Sequence, residues 1–298
     1  MKIFKLLLDG FKGKPDLSEM SIDLFRVDDY LIKFEFPKDI LEKCHYEDCF
    51  LFEDFNIKST EYIHQKYVNL FYVGYSFRKI VTNYIFPVNT LGKLYINLRI
   101  KKSNATIETE TENELSNFIE REYNDYYHDP NPCSDSMRGY HTDLMNDARI
   151  IADQRWGVNP DDEDKIKKKE KYLIHSFFLG YPPIKCKEVN IGNHRYVKYE
   201  EGNVYYKYDL KRVYNIIISG GFYLSVEFWY KLDSSYTNKK LLNWVSSADA
   251  KFEKEMLERL ELSNYIDSCL NSAEEQLREN GAKQKARVVG KYAKIGKH

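Results

Sequence analysis

Tyr30, Ile32, Phe34 and Phe36 alternate with Leu31, Lys33 and Glu35. A two-residue period sends successive side chains to opposite faces of a pleated strand, so this stretch predicts a strand with one face in a core. Pro37 and Asp39 close it. Runs of similar texture follow at residues 50–55, 66–75, 79–86 and 93–100. The breaks between them, at Asn56, 74–76 and 87–92, carry turn-forming residues. Strands this closely spaced leave no room for crossover helices and predict an antiparallel meander.

The period changes after about residue 105. Leu115, Phe118, Ile119 and Tyr123 lie at i, i+3, i+4 and i+8, one stripe of a helix. Thr111 with Glu114 three residues on matches a capping box. Pro130 and Pro132 then mark a loop. A second helix is expected over about 136–155, with Tyr140, Leu144, Ala148 and Ile151 on one side. The run 161–171 is charged except for Ile166 and reads as an exposed linker or short helix.

Strands return at 193–199 and 204–208, flanking a hairpin turn at 200–203 where Gly202 and Asn203 tolerate positive φ. Two more, at 213–219 and 222–232, flank Gly220 and Gly221. Helices are expected at 238–245, at 252–260 and on to about 279, with Gly281 as a stop. The fold class expected is therefore α+β, antiparallel β-meanders packed with helices. Its divisions are a β-rich region 1–104, an acidic helical insert 105–172, an α+β region 173–280 and a basic tail 281–298. Residues 30–36 echo residues 223–228, which raises the expectation of two related β-plus-helix halves around the acidic segment.

The net charge of −1 hides an asymmetry. Residues 105–164 hold sixteen acids and four bases, and the tail holds six bases and no acid. An acidic face steers a basic partner into register. The tail has no aromatic residue but Tyr292, so nucleic acid is not an expected partner. The 25 tyrosines and 17 phenylalanines suit half-buried strands and binding surfaces alike. The N-terminus lacks the pattern of a signal peptide, and no run approaches 18 apolar residues, so a cytoplasmic protein outside the membrane is expected. Cys44, Cys49, Cys133, Cys186 and Cys269 have no C-x-x-C spacing and read as free thiols.

No P-loop, G-x-S-x-G elbow, H-E-x-x-H or EF-hand pattern occurs. The densest chemistry lies in residues 128–143, where His128, Asp129, His141 and Asp143 are the ligand types a zinc or manganese hydrolase would use. His141 and Asp143, two apart on a helix, point to different faces. The expectation is accordingly no catalytic residue, no metal and no cofactor.

The stretch Phe34-Glu-Phe-Pro37, the acidic insert, the strand GFYLSVEFWYKL at 221–232 and the helix from Phe252 to Leu262 together resemble immunity proteins of type VI secretion effectors. Several of those are built from Mog1/PsbP-like α+β units, an antiparallel sheet closed by a terminal helix. The resemblance covers about residues 20–100 and 190–262 and is one of texture. It implies an immunity protein that occludes a cognate toxin with a basic active-site cleft. The missing signal peptide departs from the periplasmic members and implies a toxin acting in the cytosol. The residues expected to meet that partner are Glu112, Glu120, Tyr123, Asp125, Tyr126, Tyr127, Tyr140, Asp143, Asp153 and Trp156. Two other readings are a metal-dependent hydrolase centred on residues 128–143, and a structural component of a phage or secretion apparatus.

Overall fold

The alternation at residues 30–36 becomes strand β2 (Tyr30–Pro37), paired antiparallel with β1 (Met20–Val27). The computed structural model describes residues 15–38, 40–62, 65–79, 89–103, 111–233 and 239–265. Their remaining strands are β3 (Glu42–His45), β4 (Cys49–Phe50), β5 (Thr60–Tyr62), β6 (Gln65–Lys79), β7 (Asn89–Lys102), β8 (Lys187–Ile191), β9 (His194–Gly202), β10 (Asp209–Ser219), β11 (Phe222–Leu232) and β12 (Glu261–Asn264). The helices are α1 (Glu112–Tyr127), α2 (Tyr140–Trp156), α3 (Glu163–Leu179), α4 (Lys239–Ser247) and α5 (Phe252–Glu258). The chain is α+β, with two mostly antiparallel sheets.

The small sheet runs β12-β2-β1-β4, and the large one β3-β6-β7-β11-β10-β9-β8 with β5 added on β6. At the centre of the large sheet β7 lies antiparallel to β11, from Lys102↔Phe222 to Gly92↔Leu232. The β-rich stretches on either side of the helical insert thus share one sheet. The two echoed stretches do not occupy matching places: residues 30–36 lie in β2 of the small sheet and residues 223–228 in β11 of the large one.

Period-2 patterning gives the large sheet two unlike faces. Leu94, Ile96, Leu98 and Ile100 of β7 and Leu224, Val226, Phe228 and Tyr230 of β11 enter the main core. The small sheet covers this face with Phe25, Phe34 and Phe36, whose rings lie 5.0–5.9 Å from that of Phe71. Helices α4 and α5 complete the cover with Leu241, Val245, Phe252, Met256 and Leu257. On the opposite face α1 packs Leu115, Phe118, Ile119 and Tyr123 against Val197, Tyr199, Val213 and Tyr223.

A buried polar knot pins α5 to the sheet. The Glu253 carboxylate accepts from Arg212 at 2.9 Å and from the Tyr214 and Tyr230 hydroxyls at 2.7 Å each. Arg212 also donates to the Val245 carbonyl and to Glu200. Burial opposes the charge on Arg212, yet Glu253 outweighs it and holds the guanidinium above its ordinary value. Burial pushes the Glu253 carboxyl up, against the pull of Arg212 and the two hydroxyls.

Several local expectations are met. The capping box forms, with Glu114 N–H on the Thr111 hydroxyl and Thr111 N–H on the Glu114 carboxylate. Gly220 and Gly221 turn β10 into β11 with φ of 57° and 77°. The four cysteines among the described residues are free thiols.

Others are corrected. Residues 74–76 are not a turn but lie inside the 15-residue β6, where a Cβ on Gly74 would come within 2.8 Å of Glu42 on the neighbouring strand. Of residues 50–55 only Phe50 is strand, at the end of β4; a 3-10 turn and a helical turn then bring Phe52 and Phe55 onto Phe222. The β9–β10 turn lies at 203–208 rather than 200–203. Asn203 builds it by accepting the N–H groups of Tyr205, Tyr206 and Lys207. Residues 161–171 begin α3, a 17-residue helix capped by Asp162 and braced by Lys167–Glu163 and Lys168–Asp164 pairs. The face α2 buries carries His141, Ala148 and Ala152 rather than Tyr140. Residues 261–264 form β12, not helix. The strand expected over 80–86, the helix beyond 265, Cys269 and the basic tail lie outside the described residues. No helix among the described residues is long and apolar enough to cross a membrane.

Candidate functional site

Where α1 ends, the second face of the large sheet opens, and alternate residues of five strands line a pocket of about 340 Å³. Gln65 and Tyr67 come from β6, Arg99 from β7, Glu227 and Trp229 from β11, Asp209 and Lys211 from β10, and Glu201 from β9. Tyr127 at the end of α1, Tyr181 after α3 and Lys207 in the β9–β10 turn close the sides.

Cross-strand register sets the charges. Ser225 lies opposite Arg99, which makes Glu227 the diagonal neighbour of that arginine. Its carboxylate takes Arg99 at 2.7 Å and Lys101 at 2.9 Å, with side-chain exposures of 1% for Glu227 and 3% for Lys101. Arg99 also donates to Asn69 and stacks 4.2 Å over Tyr67. Lys211 lies directly opposite Glu201 and pairs with it at 3.3 Å. Asp209 accepts the Trp229 indole N–H.

These pairings fix the protonation states. Burial opposes the charge on Glu227, but Lys101, Arg99 and Lys211 outweigh it and hold the carboxyl far below the usual carboxylate range. Burial likewise opposes Arg99 and Lys211, and the carboxylates beside them win, keeping both above their ordinary values. Lys101 goes the other way: burial lowers it, Lys211 and Arg99 add to that, and Glu227 recovers only part.

On α1, outside the pocket lining, burial pushes Glu122 up to about 7 against the pull of Arg121 and Lys101. A carboxyl raised above its ordinary 4.5 costs stability as pH climbs from about 4.5 through 7. Glu122→Gln is therefore expected to leave stability at pH 4 nearly unchanged and to raise it at pH 8. Urea unfolding at both pH values measures the difference, and an equal effect at both would refute the assignment.

His128 and His141 come together, with ring centroids 4.5 Å apart, but they hold the chain rather than a metal. His141 Nδ1 accepts the Tyr181 N–H at 3.0 Å, and His128 Nε2 lies 2.9 Å from the Tyr181 carbonyl. Burial lowers His128, and burial with the neighbouring His128 brings His141 down to about 4, so both are neutral at pH 7. Asp129 is bound to Arg138, and Asp143 is exposed on α2. The four-ligand set expected for a hydrolase is not assembled, and no group of three metal-binding side chains occurs among the described residues. The grip on Tyr181 instead fixes its ring in the pocket wall, stacked 4.1 Å from Tyr127 at an interplanar angle of 9°.

The ten residues expected to meet a partner do not share one surface. Tyr123 and Tyr127 are buried, the latter at the pocket wall. Glu120 accepts the Cys186 N–H at 2.6 Å and ties α1 to the chain before β8. Asp153 pairs with Lys169, and Trp156 packs on Tyr172. Glu112 and Tyr126 are half-buried, whereas Asp125, Tyr140 and Asp143 are exposed. The lysines of α3 also dilute the acidic field, because residues 111–179 hold fifteen acids and nine bases. Of the pocket lining, only Tyr127 belongs to the expected set.

No protein family, curated protein or solved structure matches this chain.

Proposed function

We propose that the chain works by binding rather than by chemistry, and that the pocket on the polar sheet face is its recognition site. The fixed charge pattern carries this reading. A general acid or base needs a pKa near the working pH, whereas Glu227, Arg99 and Lys211 are each driven away from neutrality by their neighbours. Such groups present constant charge between aromatic walls, which is what orientation and selectivity require. Thermal-shift screening of the purified chain with a library of small molecules tests it. Ligands found this way should bind at least about tenfold more weakly to Tyr67→Ala or Trp229→Phe, a loss of about 1.4 kcal/mol. No ligand, or ligands indifferent to both substitutions, would refute the reading.

A second reading keeps the toxin inhibitor and assigns its contact to the α2–α3 hairpin. The observation favouring it is exposed apolar area: Ile150 on α2 is 55% exposed, Val158 in the loop between the helices 70% and Ile174 on α3 48%, and α2 also exposes Asp143 and Asp147. Ile150→Glu with Ile174→Glu is expected to abolish a complex with a toxin encoded beside this chain. An unchanged complex in a pull-down removes the hairpin from consideration.

A further inference from the structure

We infer that the pocket takes a small planar anion, an aromatic or heteroaromatic ring carrying a carboxylate or phosphate group. The inference rests on the binding reading above and names its ligand class.

The sign of the ligand follows from how the charges are committed. Arg99, Lys101 and Lys211 share two carboxylates, Glu227 and Glu201. On the β9–β10 turn, the Lys207 ammonium has no ion pair or hydrogen bond among the described residues and lies 4.5 Å over the Tyr181 ring. Asp209, the third carboxylate of the lining, is occupied by the Trp229 indole N–H. The lining thus holds three cations, Arg99, Lys207 and Lys211, against three carboxylates; Lys101, buried outside it, adds a second cation to Glu227, and Lys207 is the cation whose ammonium is uncommitted. An anionic group between Lys207 and Lys211 gains charge-assisted hydrogen bonds without displacing an existing pair.

A cationic ligand is disfavoured by the same geometry. Cations bind aromatic faces, and three of the four aromatic walls already carry one: Arg99 on Tyr67, Lys207 on Tyr181 and Lys231 at 3.7 Å from Trp229. The ring of the ligand follows from the aromatic lining: each cation covers one face of its ring, and a flat ligand packs on the remaining faces and edges of Tyr67 and Trp229 rather than on Tyr181, which Lys207 and Tyr127 already cover. Its size follows from the volume of about 340 Å³, near the lower end of the 300–1,000 Å³ typical of small-molecule sites.

Isothermal titration with benzoate, phenyl phosphate, benzamide, benzylamine and inorganic phosphate tests the inference. Ligands this small are read at concentrations up to about 10 mM. Benzoate or phenyl phosphate should bind at least about tenfold tighter than benzamide, benzylamine or inorganic phosphate, and the stronger of the two tells carboxylate from phosphate. Lys207→Ala should weaken that anion at least about tenfold while leaving the melting temperature unchanged, since Lys207 is half-buried on a turn. Equal or tighter binding of benzamide or benzylamine would overturn the anion and leave the pocket as a binding site. Binding of either anion that ignores Lys207→Ala would overturn the geometry argued for it. No saturable binding by any of the five would overturn both the ligand class and the binding reading beneath it.

Discussion

Glu253→Ala is expected to lower the unfolding free energy by about 3–5 kcal/mol, the usual cost of removing one partner from a buried ion pair. Such a loss is a large part of the roughly 5–15 kcal/mol that holds a typical domain together. The substitution leaves Arg212, whose side chain is 4% exposed, with only the half-exposed Glu200 as a carboxylate partner, and removes the acceptor of two buried tyrosine hydroxyls. It also cuts the polar tie between α5 and β10–β11. The check is the urea midpoint against wild type, at constant m. A variant that fails to fold is read through its partner, Arg212→Met with Glu253→Leu. That pair leaves no buried charge and is expected to recover more than half of the loss. A single substitution costing under about 1 kcal/mol would show that the knot contributes little.

Glu227→Ala is expected to cost a similar amount at pH 7, about 3–5 kcal/mol, because Arg99 and Lys101, side by side on one face of β7, then lose the carboxylate they share. This loss depends on pH through Lys101. Lys101 is already lowered by burial, and removing Glu227 lowers it further. A lysine lowered in the folded state costs stability below its unfolded value of 10.5, and the cost fades as pH approaches that value. The deficit of the variant should therefore shrink between pH 7 and pH 10, while that of Glu227→Ala with Lys101→Met should not shrink. Parallel unfolding curves at the two pH values would exclude Lys101 as the source.

Much of the fold was legible because local rules and tertiary packing agree. The ladder at residues 30–36, the Thr111–Glu114 box and the Gly220–Gly221 turn each need only their own neighbours. Errors came where a distant contact overrode a local signal. Gly74 reads as a turn until Glu42 lies beside it on the adjoining strand, and the phenylalanines at 52 and 55 read as strand until Phe222 supplies a ring to pack on. The pocket was the least legible feature. Arg99 and Glu227 each sit between apolar residues, and Lys101 follows Ile100 two residues after Arg99, which marks all three as facing away from the main core. Nothing local says that β7 and β11 are neighbours, and without that register the charges look like ordinary solvent-facing residues. The histidines were noticed for the wrong reason: their proximity in sequence suggested ligands, whereas their ring nitrogens serve the backbone of Tyr181.

The placement of β7 against β11 also dictates an order of events during synthesis. The pairing Lys102↔Phe222 joins positions about 120 residues apart. At roughly 5–20 residues per second, a ribosome needs about 6–24 s to make the intervening chain. Throughout that interval β6 and β7 can zip together, yet the other edge of β7 has only solvent or a second nascent chain to pair with. An edge of this length is a template for intermolecular pairing. Lys93, Arg99, Lys101 and Lys102 place like charges along that edge, and like charges directly opposite each other oppose the docking of a second copy. The cations that later shape the pocket thus also guard the half-made sheet until β11 arrives with Glu227.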